Sequence, residues 1–410
     1  MRNNRLRHLA ATSLVSLFGT LILAPISLTG QASLPLAEYH IYAGNTHSHS
    51  IYTMSHGEQW VKGTHLLVTG SEQGPGKGAV LKPDWQKVQG PPSEHFRRAK
   101  AAGYDFYAVT DHSQEAAFQP TSPTNPQWVA AKQQAAEATD GTFVALAGFE
   151  HSENNGPGGK GHLNVINSDG MLNALAPGID LPYLYKWLAT AKPNGEGPVV
   201  ATFNHPGPTQ YNNWDYRTPE VTDVITMLEV INGNNKIHYA AFVNALDKGW
   251  KVSPVCGLDN HGFTGIPKNT SRTFVLAKHK TKVDILDAMK HRRTYTSLDK
   301  NIQCRYTVNG AAMGSTLDRP SAFKFDIAIG DPDTTSPKDK ITKIDIVKDH
   351  GAVVQEYTPT PGYSVRWTPT VEDSTSKYFF VRVWTAGGGD APGADPAKPV
   401  AWLAPVWTGR

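Results

Sequence analysis

Two histidines two residues apart, His47 and His49, follow a short run rich in apolar residues at positions 39–44. In an extended strand, side chains at positions i and i+2 point to the same face, so both imidazoles would project from one strand end. A divalent metal ion could then bind both of them. A lone His-x-His pair is equally consistent with two surface histidines near a turn, so its interpretation depends on the rest of the chain.

Four further clusters of histidine and carboxylate residues end other strand-like runs. They are Asp111-His112, Glu150-His151, His205-Pro206 and Asp259-Asn260-His261, and His162 adds another imidazole. Catalytic sites of barrels and of open α/β sheets form at the carboxyl ends of strands. Each residue alone fits a capped turn or an exposed loop, but their recurrence at successive strand ends predicts one common site.

The residue types in these clusters indicate a metal centre. Neutral imidazole and carboxylate, without thiolate, suit Zn²⁺, Mn²⁺ or Fe²⁺. We predict two or three divalent ions, zinc before manganese or iron, because the ligands exceed what one ion needs. The candidate ligands are His47, His49, His112, Glu150, His162, His205, Asp259 and His261. Neighbouring ions lower the pKa of a bridging water and bind the attacking and leaving oxygens of a hydrolysis.

Strand-like runs alternate with helical patterns from about residue 37 to about residue 300. For example, residues 92–103 have a helical pattern with a glycine stop, and the strand-like run 104–110 follows. Such alternation predicts an α/β fold with a largely parallel sheet, open or closed into a barrel.

The pattern changes after residue 300. Alternating runs at 323–329, 341–347 and 378–384 lie between turns rich in Pro, Gly and Asp, which predicts a small antiparallel β-sandwich over residues 301–410. Of the 16 histidines, only His350 follows His291. We therefore expect the imidazole chemistry in the first domain, residues 38–300.

Residues 1–32 have the pattern of a cleaved secretory signal. Arg2, Arg5 and Arg7 precede a mostly apolar run, and small residues follow it at 30–32. An uncleaved membrane anchor is the alternative, because the apolar run is nearly long enough to span a bilayer. We predict a secreted or periplasmic bacterial protein with no membrane span after removal of the signal.

The chain without this segment is formally neutral. The sequence has 39 Lys and Arg against 36 Asp and Glu, and removal of the three arginines in residues 1–32 leaves 36 of each. Because the remaining chain has no excess of positive charge, its composition does not indicate binding to nucleic acid or to an acidic membrane. Cys256 and Cys304 are the only cysteines, and their spacing leaves open whether they form a disulfide.

The order of the motifs resembles the PHP (polymerase and histidinol phosphatase) superfamily, and within it the carbaryl-hydrolase-like branch. The matching motifs are His-x-His at 47–49, Thr-Asp-His at 110–112, Gly-x-Glu at 148–150, Gly-His at 161–162, His-Pro at 205–206 and Gly-x-Asp-x-His at 257–261. The match extends to residues 228–232 and 271–275, and the resemblance covers roughly residues 40–410.

This resemblance implies a distorted (β/α)7 TIM-like barrel with two or three metal ions at its strand ends, followed by the C-terminal sandwich. The implied ligands are His47, His49, Glu150 and Asp259 for the first ion, Glu150, His162 and His205 for the second, and His112, His261 and a residue of the loop after His49 for the third.

Two positions depart from the pattern of the superfamily. Asn45 stands two residues before the first histidine, where the superfamily usually has Asp, which changes a hydrogen-bond acceptor around the histidines. The segment Ser55-His56-Gly57 stands in place of Ser-Asp-Gly. We therefore expect His56 to replace the Asp as a ligand of the third ion, a role that imidazole suits.

Together these features predict a secreted metal-dependent hydrolase in which a metal-bridged hydroxide attacks a small-molecule or lipid-like ester. A phosphomonoester or phosphodiester, lipid- or inositol-linked among the options, is preferred because phosphoester hydrolysis is the superfamily's common chemistry. His151 is a candidate acid or substrate contact, and Lys160 and Arg272 are candidate phosphate contacts. The alternatives are a carboxylic or carbamate ester hydrolase of the carbaryl type and a non-catalytic periplasmic metal- or carbohydrate-binding protein.

Overall fold

The computed structural model describes residues 38–64, 74, 76, 78–153, 160–233 and 236–410, which belong to one compact unit. The predicted signal segment, residues 1–32, lies outside the described residues. Among the described helices, none combines the length and the apolar character needed to cross a bilayer.

Strands and helices alternate up to residue 297, as the sequence predicts. The strands are β1 His40–Asn45, β2 Phe106–His112, β3 Val144–Glu153, β4 Gly161–Ile166, β5 Val200–Asn204, β6 Ile225–Asn232, β7 Lys236–Ile237, β8 Ser253–Gly257, β9 Arg272–Ala277 and β10 Thr294–Ser297. The helices are α1 Pro92–Ala101, α2 Pro126–Ala138, α3 Leu181–Leu188, α4 Gln210–Trp214, α5 Pro219–Val224, α6 Tyr239–Asp247 and α7 Lys282–Lys290.

Beyond residue 300 the described residues form strands and short 3-10 turns. The strands are β11 Gln303–Val308, β12 Ala311–Ala312, β13 Ala322–Gly330, β14 Ile341–Lys348, β15 Ala352–Tyr357, β16 Ser364–Trp367, β17 Thr370–Glu372, β18 Tyr378–Thr385, β19 Ala401–Leu403 and β20 Val406–Trp407.

Several helices begin where the sequence supplies a capping side chain. The Asn125 side chain accepts hydrogen bonds from the first turn of α2, and the Asp180 side chain accepts one from the backbone N–H of Tyr183 in α3. Such caps satisfy N–H groups that have no partner within the helix. The helix predicted at residues 92–103 appears as α1 Pro92–Ala101.

Strand pairing orders the large sheet as β15-β14-β18-β19-β10-β9-β1-β2-β3-β4-β5-β6-β7, with β8 on β6 and β20 on β18. The pairs β1·β2, β2·β3, β5·β6 and β6·β8 are parallel. Strand β4 is antiparallel to both β3 and β5. A second sheet contains β12, β11, β13 and β16, with β17 on β13.

The apolar core continues across residue 300. One cluster joins parallel strands to α7 through side chains such as Phe106, Met227 and Leu286. A larger cluster runs from the strands before residue 300 to Trp402 near the C-terminus and includes Tyr295 of β10. Because β10 also pairs with β19, the last hundred residues share both a sheet and a core with the first three hundred.

The predicted α/β class is confirmed. The (β/α)7 barrel, the C-terminal sandwich and the domain boundary at residues 300–301 stay predictions. Cys256 and Cys304 are both free and buried, which answers the question of pairing that their spacing left open.

Candidate metal centre

The predicted ligands gather where the segment after β1 meets the segment after β8. Ser48 and Asn260 form an isolated parallel bridge. The N–H of His49 donates to the carbonyl of Asn260 over 2.9 Å, and the N–H of Asp259 donates to the carbonyl of His47 over 3.0 Å. These backbone contacts bring the His-x-His segment beside a carboxylate that lies far away in the sequence.

The two ring nitrogens of His47 face different partners. Nδ1 lies 2.7 Å from Oε1 of Glu229, a distance that places a proton on Nδ1 and leaves a lone pair on Nε2. Burial lowers the pKa of His47, but the surrounding carboxylates, with Glu150 first, raise it well above its usual value. Since Nδ1 is occupied by Glu229, Nε2 is the atom that His47 offers to a metal ion, which would displace the proton that the carboxylates otherwise favour there.

His49 offers the same atom for a similar reason. The hydroxyl of Thr53 donates to Oδ1 of Asp111 over 2.8 Å, so it can only accept from Nδ1 of His49, 3.3 Å away. Burial, and next the charge of His112, lower the pKa of His49 to about 3. A neutral imidazole with a free Nε2 lone pair is the form that binds metal.

Three donors, from His47, His49 and Asp259, converge at distances that fit one ion, and the carboxylate of Glu150 lies beside them. Nε2 of His47 lies 3.0 Å from Nε2 of His49, and the two atoms lie 3.5 and 3.2 Å from Oδ1 of Asp259. The carboxylate oxygens of Glu150 lie 3.4 and 3.5 Å from the same two nitrogens. Ligands at about 2.1 Å from a tetrahedral zinc are separated by about 3.3 Å. The donor set therefore fits such an ion in chemistry and in spacing.

Glu150 reaches three more histidines through its two oxygens. Burial raises the pKa of its carboxyl, but the histidines around it hold that pKa well below its usual value. The distances are 3.2 Å from Oε1 to Nδ1 of His162, 3.3 Å from Oε1 to Nε2 of His205 and 2.9 Å from Oε2 to Nδ1 of His112. One carboxylate thus extends from this first group of donors toward a second group of ligands.

A third group of imidazoles lies on the other side of His49. His49, His112 and His261 each offer a ligand atom within 4.8 Å of the others. The ring of His56 lies 4.1 Å from that of His261 and 5.2 Å from that of His112, between centroids. Nε2 of His261 is buried and has no hydrogen-bond partner among the described residues, as expected of an atom that binds an ion.

Asp111 holds the backbone of the loop that follows His49. Its Oδ1 accepts from the N–H groups of Ser50 and Thr53 over 2.7 and 3.1 Å, and its Oδ2 accepts from the Ser50 hydroxyl over 2.6 Å. A carboxylate that accepts several such bonds fixes the loop at this point.

Glu115 holds the next part of the same loop. Its Oε2 accepts from the N–H groups of residues 54 and 55, each over 3.0 Å. The Ser55 hydroxyl contacts Oε1 of Glu115 and lies 2.8 Å from Nδ1 of His56. Burial raises the pKa of Glu115 to about 7. Together with Asp111, this residue positions His56 beside the third group of imidazoles.

The three residues predicted for catalysis, His151, Lys160 and Arg272, have different surroundings in the described parts of the chain. His151 is buried on the opposite face of β3 from Glu150, pairs with Leu163 across the ladder, and has no partner for either ring nitrogen. Its pKa falls to about 3, chiefly through burial. Nζ of Lys160 forms an ion pair with Glu153 at 2.8 Å.

Arg272 is buried and supports the backbone. Its Nη1 donates to the carbonyls of Asn269 and Ser271 over 2.6 and 2.9 Å, and its guanidinium lies 3.8 Å from the centre of the Tyr104 ring. Through these contacts the guanidinium of Arg272 stabilises the backbone at the start of β9. No described contact joins Arg272, Lys160 or His151 to a substrate position, and their catalytic roles stay predictions.

Asn45 contacts the backbone of the metal centre and leaves its imidazoles to other partners. Its Nδ2 donates to the carbonyl of His47 over 2.9 Å, and its Oδ1 accepts from the N–H of Leu258 over 2.8 Å. An amide can make both bonds, whereas a carboxylate has no N–H to donate. Asn45 therefore ties the segment after β1 to the segment after β8.

Sequence reasoning missed the residues that hold the ligands. Oε2 of Glu229 accepts from the N–H of His205 over 2.6 Å and from the Asn232 side chain over 3.1 Å. The Asn204 side chain donates to Oε1 of Glu150 over 2.9 Å. A signal was present, because Glu229 interrupts an otherwise apolar run at residues 228–231, where a buried carboxylate needs a partner.

Tyr211 fixes the two strand ends that carry His162 and His205. Its hydroxyl contacts the carbonyl of His162 at 2.7 Å and that of Asn204 at 3.0 Å. The segment Tyr211–Trp214 has left-handed backbone angles, with φ from 53° to 65°. Non-glycine residues adopt such angles at a cost in free energy, which contacts elsewhere in the structure must offset. The two contacts of the Tyr211 hydroxyl are among them.

No protein-family model and no curated protein matches the chain. It is similar to the solved structure of a two-domain protein from Bacteroides vulgatus that contains a predicted PHP-like metal-dependent phosphoesterase, with 18% identity, a TM-score of 0.44, and coverage of 91% of this chain and 97% of that one. It is also similar to a candidate metal-dependent phosphoesterase from Bifidobacterium adolescentis, with 13% identity, a TM-score of 0.27, and coverage of 53% and 87%.

A third similar structure is a lesion-specific endonuclease from Pyrococcus furiosus, with 13% identity, a TM-score of 0.30, and coverage of 61% of this chain and 56% of that one. The carbaryl-hydrolase-like branch stays a prediction.

Proposed function

We propose that this protein is an exported metal-dependent phosphoesterase. One observation carries the proposal: the Nε2 atoms of His47 and His49 and Oδ1 of Asp259 lie 3.0–3.5 Å from one another, as ligands of one ion would, and the two oxygens of Glu150 lie 3.4 and 3.5 Å from these nitrogens. Glu150 extends from this group to further imidazoles, as a carboxylate shared between neighbouring ions would.

The proposed ligands follow the three groups of side chains. They are His47, His49, Glu150 and Asp259 for the first ion, Glu150, His162 and His205 for the second, and His112, His261 and His56 for the third. Divalent ions held side by side activate water and neutralise the charged oxygens of a phosphoester. Zinc suits these ligands best, because most of them are imidazoles.

The chain's own residues supply orientation and protonation state. Glu229 holds a proton on Nδ1 of His47, and Thr53 does the same for His49, so both histidines direct Nε2 toward the proposed ion. The buried carboxylate of Glu150 stays ionised because the surrounding histidines lower its pKa. The site is therefore prepared for cations before any substrate binds.

The experiment that tests this proposal combines metal removal with an ester panel. We expect chelation to abolish hydrolysis of nitrophenyl phosphate or bis-nitrophenyl phosphate, and Zn²⁺ or Mn²⁺ to restore it. Glu150→Gln should lower kcat/KM by more than about 100-fold and reduce the bound metal, because it removes a shared ligand charge. The exposed Glu137→Gln serves as the matched control.

Two outcomes contradict the proposal. Full activity in a metal-free preparation removes the role of the ions. Turnover of nitrophenyl acetate alone, with neither phosphate ester hydrolysed, replaces phosphoesters with carboxylic esters as the substrate class.

Export and a lipid-like or other small ester substrate are part of the same proposal. The basic and apolar pattern of residues 1–32 supports export. Expression of the whole chain in a bacterium, followed by fractionation and N-terminal sequencing, should find a cleaved protein outside the cytoplasm. A full-length protein retained in the cytoplasm contradicts export without affecting the hydrolase proposal.

A further inference from the structure

Three buried aspartates, which share no residue with the histidine centre, meet where β10 and β14 of the large sheet approach β13 of the smaller one. Asp299 follows β10, Asp331 follows β13, and Asp339 ends a 3-10 turn just before β14. They are 1%, 4% and 5% exposed, and each offers an oxygen within 4.8 Å of the others. Three carboxylates so close and so little hydrated repel one another strongly.

No positive side chain offsets this repulsion within the described parts of the chain. None of the three aspartates forms an ion pair with a described Lys, Arg or His. Oδ1 of Asp299 accepts from the N–H groups of Asn301 and Ile302, each over 2.9 Å, and Oδ1 of Asp331 accepts from the N–H of Asp333 over 2.8 Å. These neutral donors satisfy one oxygen of Asp299 and one of Asp331, and they do not compensate a negative charge.

A second observation indicates a missing ligand. Oδ2 of Asp331 is buried and has no hydrogen-bond partner among the described residues, and the same holds for the amide oxygen of Asn301, two residues after Asp299. Buried acceptors almost always have a partner in folded proteins. A cation would give these two buried oxygens the partner that no described donor group supplies.

The acidities of the aspartates agree with this reading. Burial raises the pKa of Asp299 to about 7 and that of Asp331 to about 6, and neighbouring carboxylates, including Asp390, add to both shifts.

We propose that Asp299, Asp331 and Asp339 form a calcium site that is separate from the histidine centre. All available donors are oxygens, and Ca²⁺ accepts carboxylate and amide oxygens at 2.3–2.6 Å in irregular arrangements. Mg²⁺ requires a nearly ideal octahedron, and Zn²⁺ favours imidazole or thiolate, which the cluster lacks. The ion would tie β10 and β14 of the large sheet to β13 of the smaller one.

The test is calcium titration of the whole purified chain, freed of calcium and kept in zinc so that the histidine centre is saturated. We expect a single saturable binding event by calorimetry, a higher unfolding temperature with Ca²⁺, and much weaker binding of Mg²⁺. Asp331→Asn should weaken Ca²⁺ binding by about tenfold or more, because it removes one ligand charge.

Asp318→Asn, an exposed aspartate of the same region, is the control and should bind Ca²⁺ as the unchanged chain does. Asp339→Asn is a second variant in case Asp331→Asn fails to fold. If both variants fail to fold, the calcium titration of the unchanged chain tests the proposal. Absence of saturable Ca²⁺ binding overturns the proposal, as does a folded Asp331→Asn with unaltered affinity. Loss of hydrolase activity alone does not bear on it.

Discussion

At the scale of single residues, the orientation of His47 depends on a carboxylate that belongs to no metal group. Glu229 is fully buried, lies 2.7 Å from Nδ1 of His47 and also accepts from the backbone of His205. Such a partner fixes the tautomer of a ligand and raises its basicity. Glu229 therefore holds two proposed ligands on different strands without touching an ion.

Replacement of Glu229 by glutamine should weaken metal binding. The amide keeps the shape of the side chain but loses the charge that holds the proton on Nδ1 of His47. We expect zinc affinity and kcat/KM to fall by about 10–100-fold, with kcat partly recovered at high zinc. Activity measured against buffered free zinc checks this, with the exposed Glu196→Gln as control. An unchanged zinc dependence would show that Glu229 only fills space.

Some positions of single residues could be predicted from the sequence, and some contacts between them could not. Alternation along an extended chain places His47 and His49 on one side, and it places Glu150 and His151 on opposite faces, and the structure confirms both. The partnership of His47 with Glu229 spans 182 residues. No local pattern encodes such a contact, because strand order decides which distant residues meet.

At the scale of elements, the end of β8 approaches β6 and the segment after β1 so closely that a side chain at residue 257 has no space. A Cβ atom on Gly257 would lie 1.7 Å from Oε1 of Glu229 and 2.8 Å from Cβ of His47. Both neighbours are buried. The lack of a side chain at Gly257 thus lets the Glu229–His47 contact form beside the end of β8.

A methyl group at this position should disturb both the core and the metal centre. We expect Gly257→Ala to lower the free energy of unfolding by about 1–3 kcal/mol, as overpacking of a buried site does, and to reduce metal content. Gly141→Ala, where no atom lies within 4 Å of the added carbon, is the control. Chemical denaturation and metal analysis check the prediction. Full stability and full metal content in Gly257→Ala would contradict it.

Element positions were predictable where hydrophobic periodicity is strong, and pairing direction was not. The run 104–110 was predicted as a strand and appears as β2 Phe106–His112. Strand β4 runs antiparallel between β3 and β5, so His162 enters the site from the start of its strand. Periodicity reports which face of a strand is buried but carries no information on the direction of its neighbour.

At the scale of the whole molecule, the large sheet does not stop at residue 300. Strand β10 pairs with β19 along residues Tyr295 to Ser297, and the Tyr295 ring stacks on Phe274 inside a cluster that includes Trp402. Composition changes at residue 300, as the sequence analysis found, but the hydrogen bonds and the core cross that point. A change in pattern can mark a change of sheet without marking an independent folding unit.

A fragment that ends at residue 300 should therefore fail to fold stably. Its β10 edge would be unpaired, and the apolar surface that Trp402 covers would face water. We expect residues 33–300 to aggregate or to lack a cooperative unfolding transition, whereas residues 33–410 should unfold in one transition. Size-exclusion chromatography and circular dichroism check this. A soluble, cooperatively unfolding fragment would establish an independent barrel domain.

The contacts of Glu150 with histidines of all three groups affect how the proposed ions would bind. Its two oxygens face histidines of all three groups, so each ion that binds alters the charge and the position of a ligand that another ion uses. Such linkage is reciprocal. Binding of each ion would then depend on the occupancy of the other positions, so no ion would have an independent affinity. The metal content measured below saturation would therefore be a property of the whole cluster.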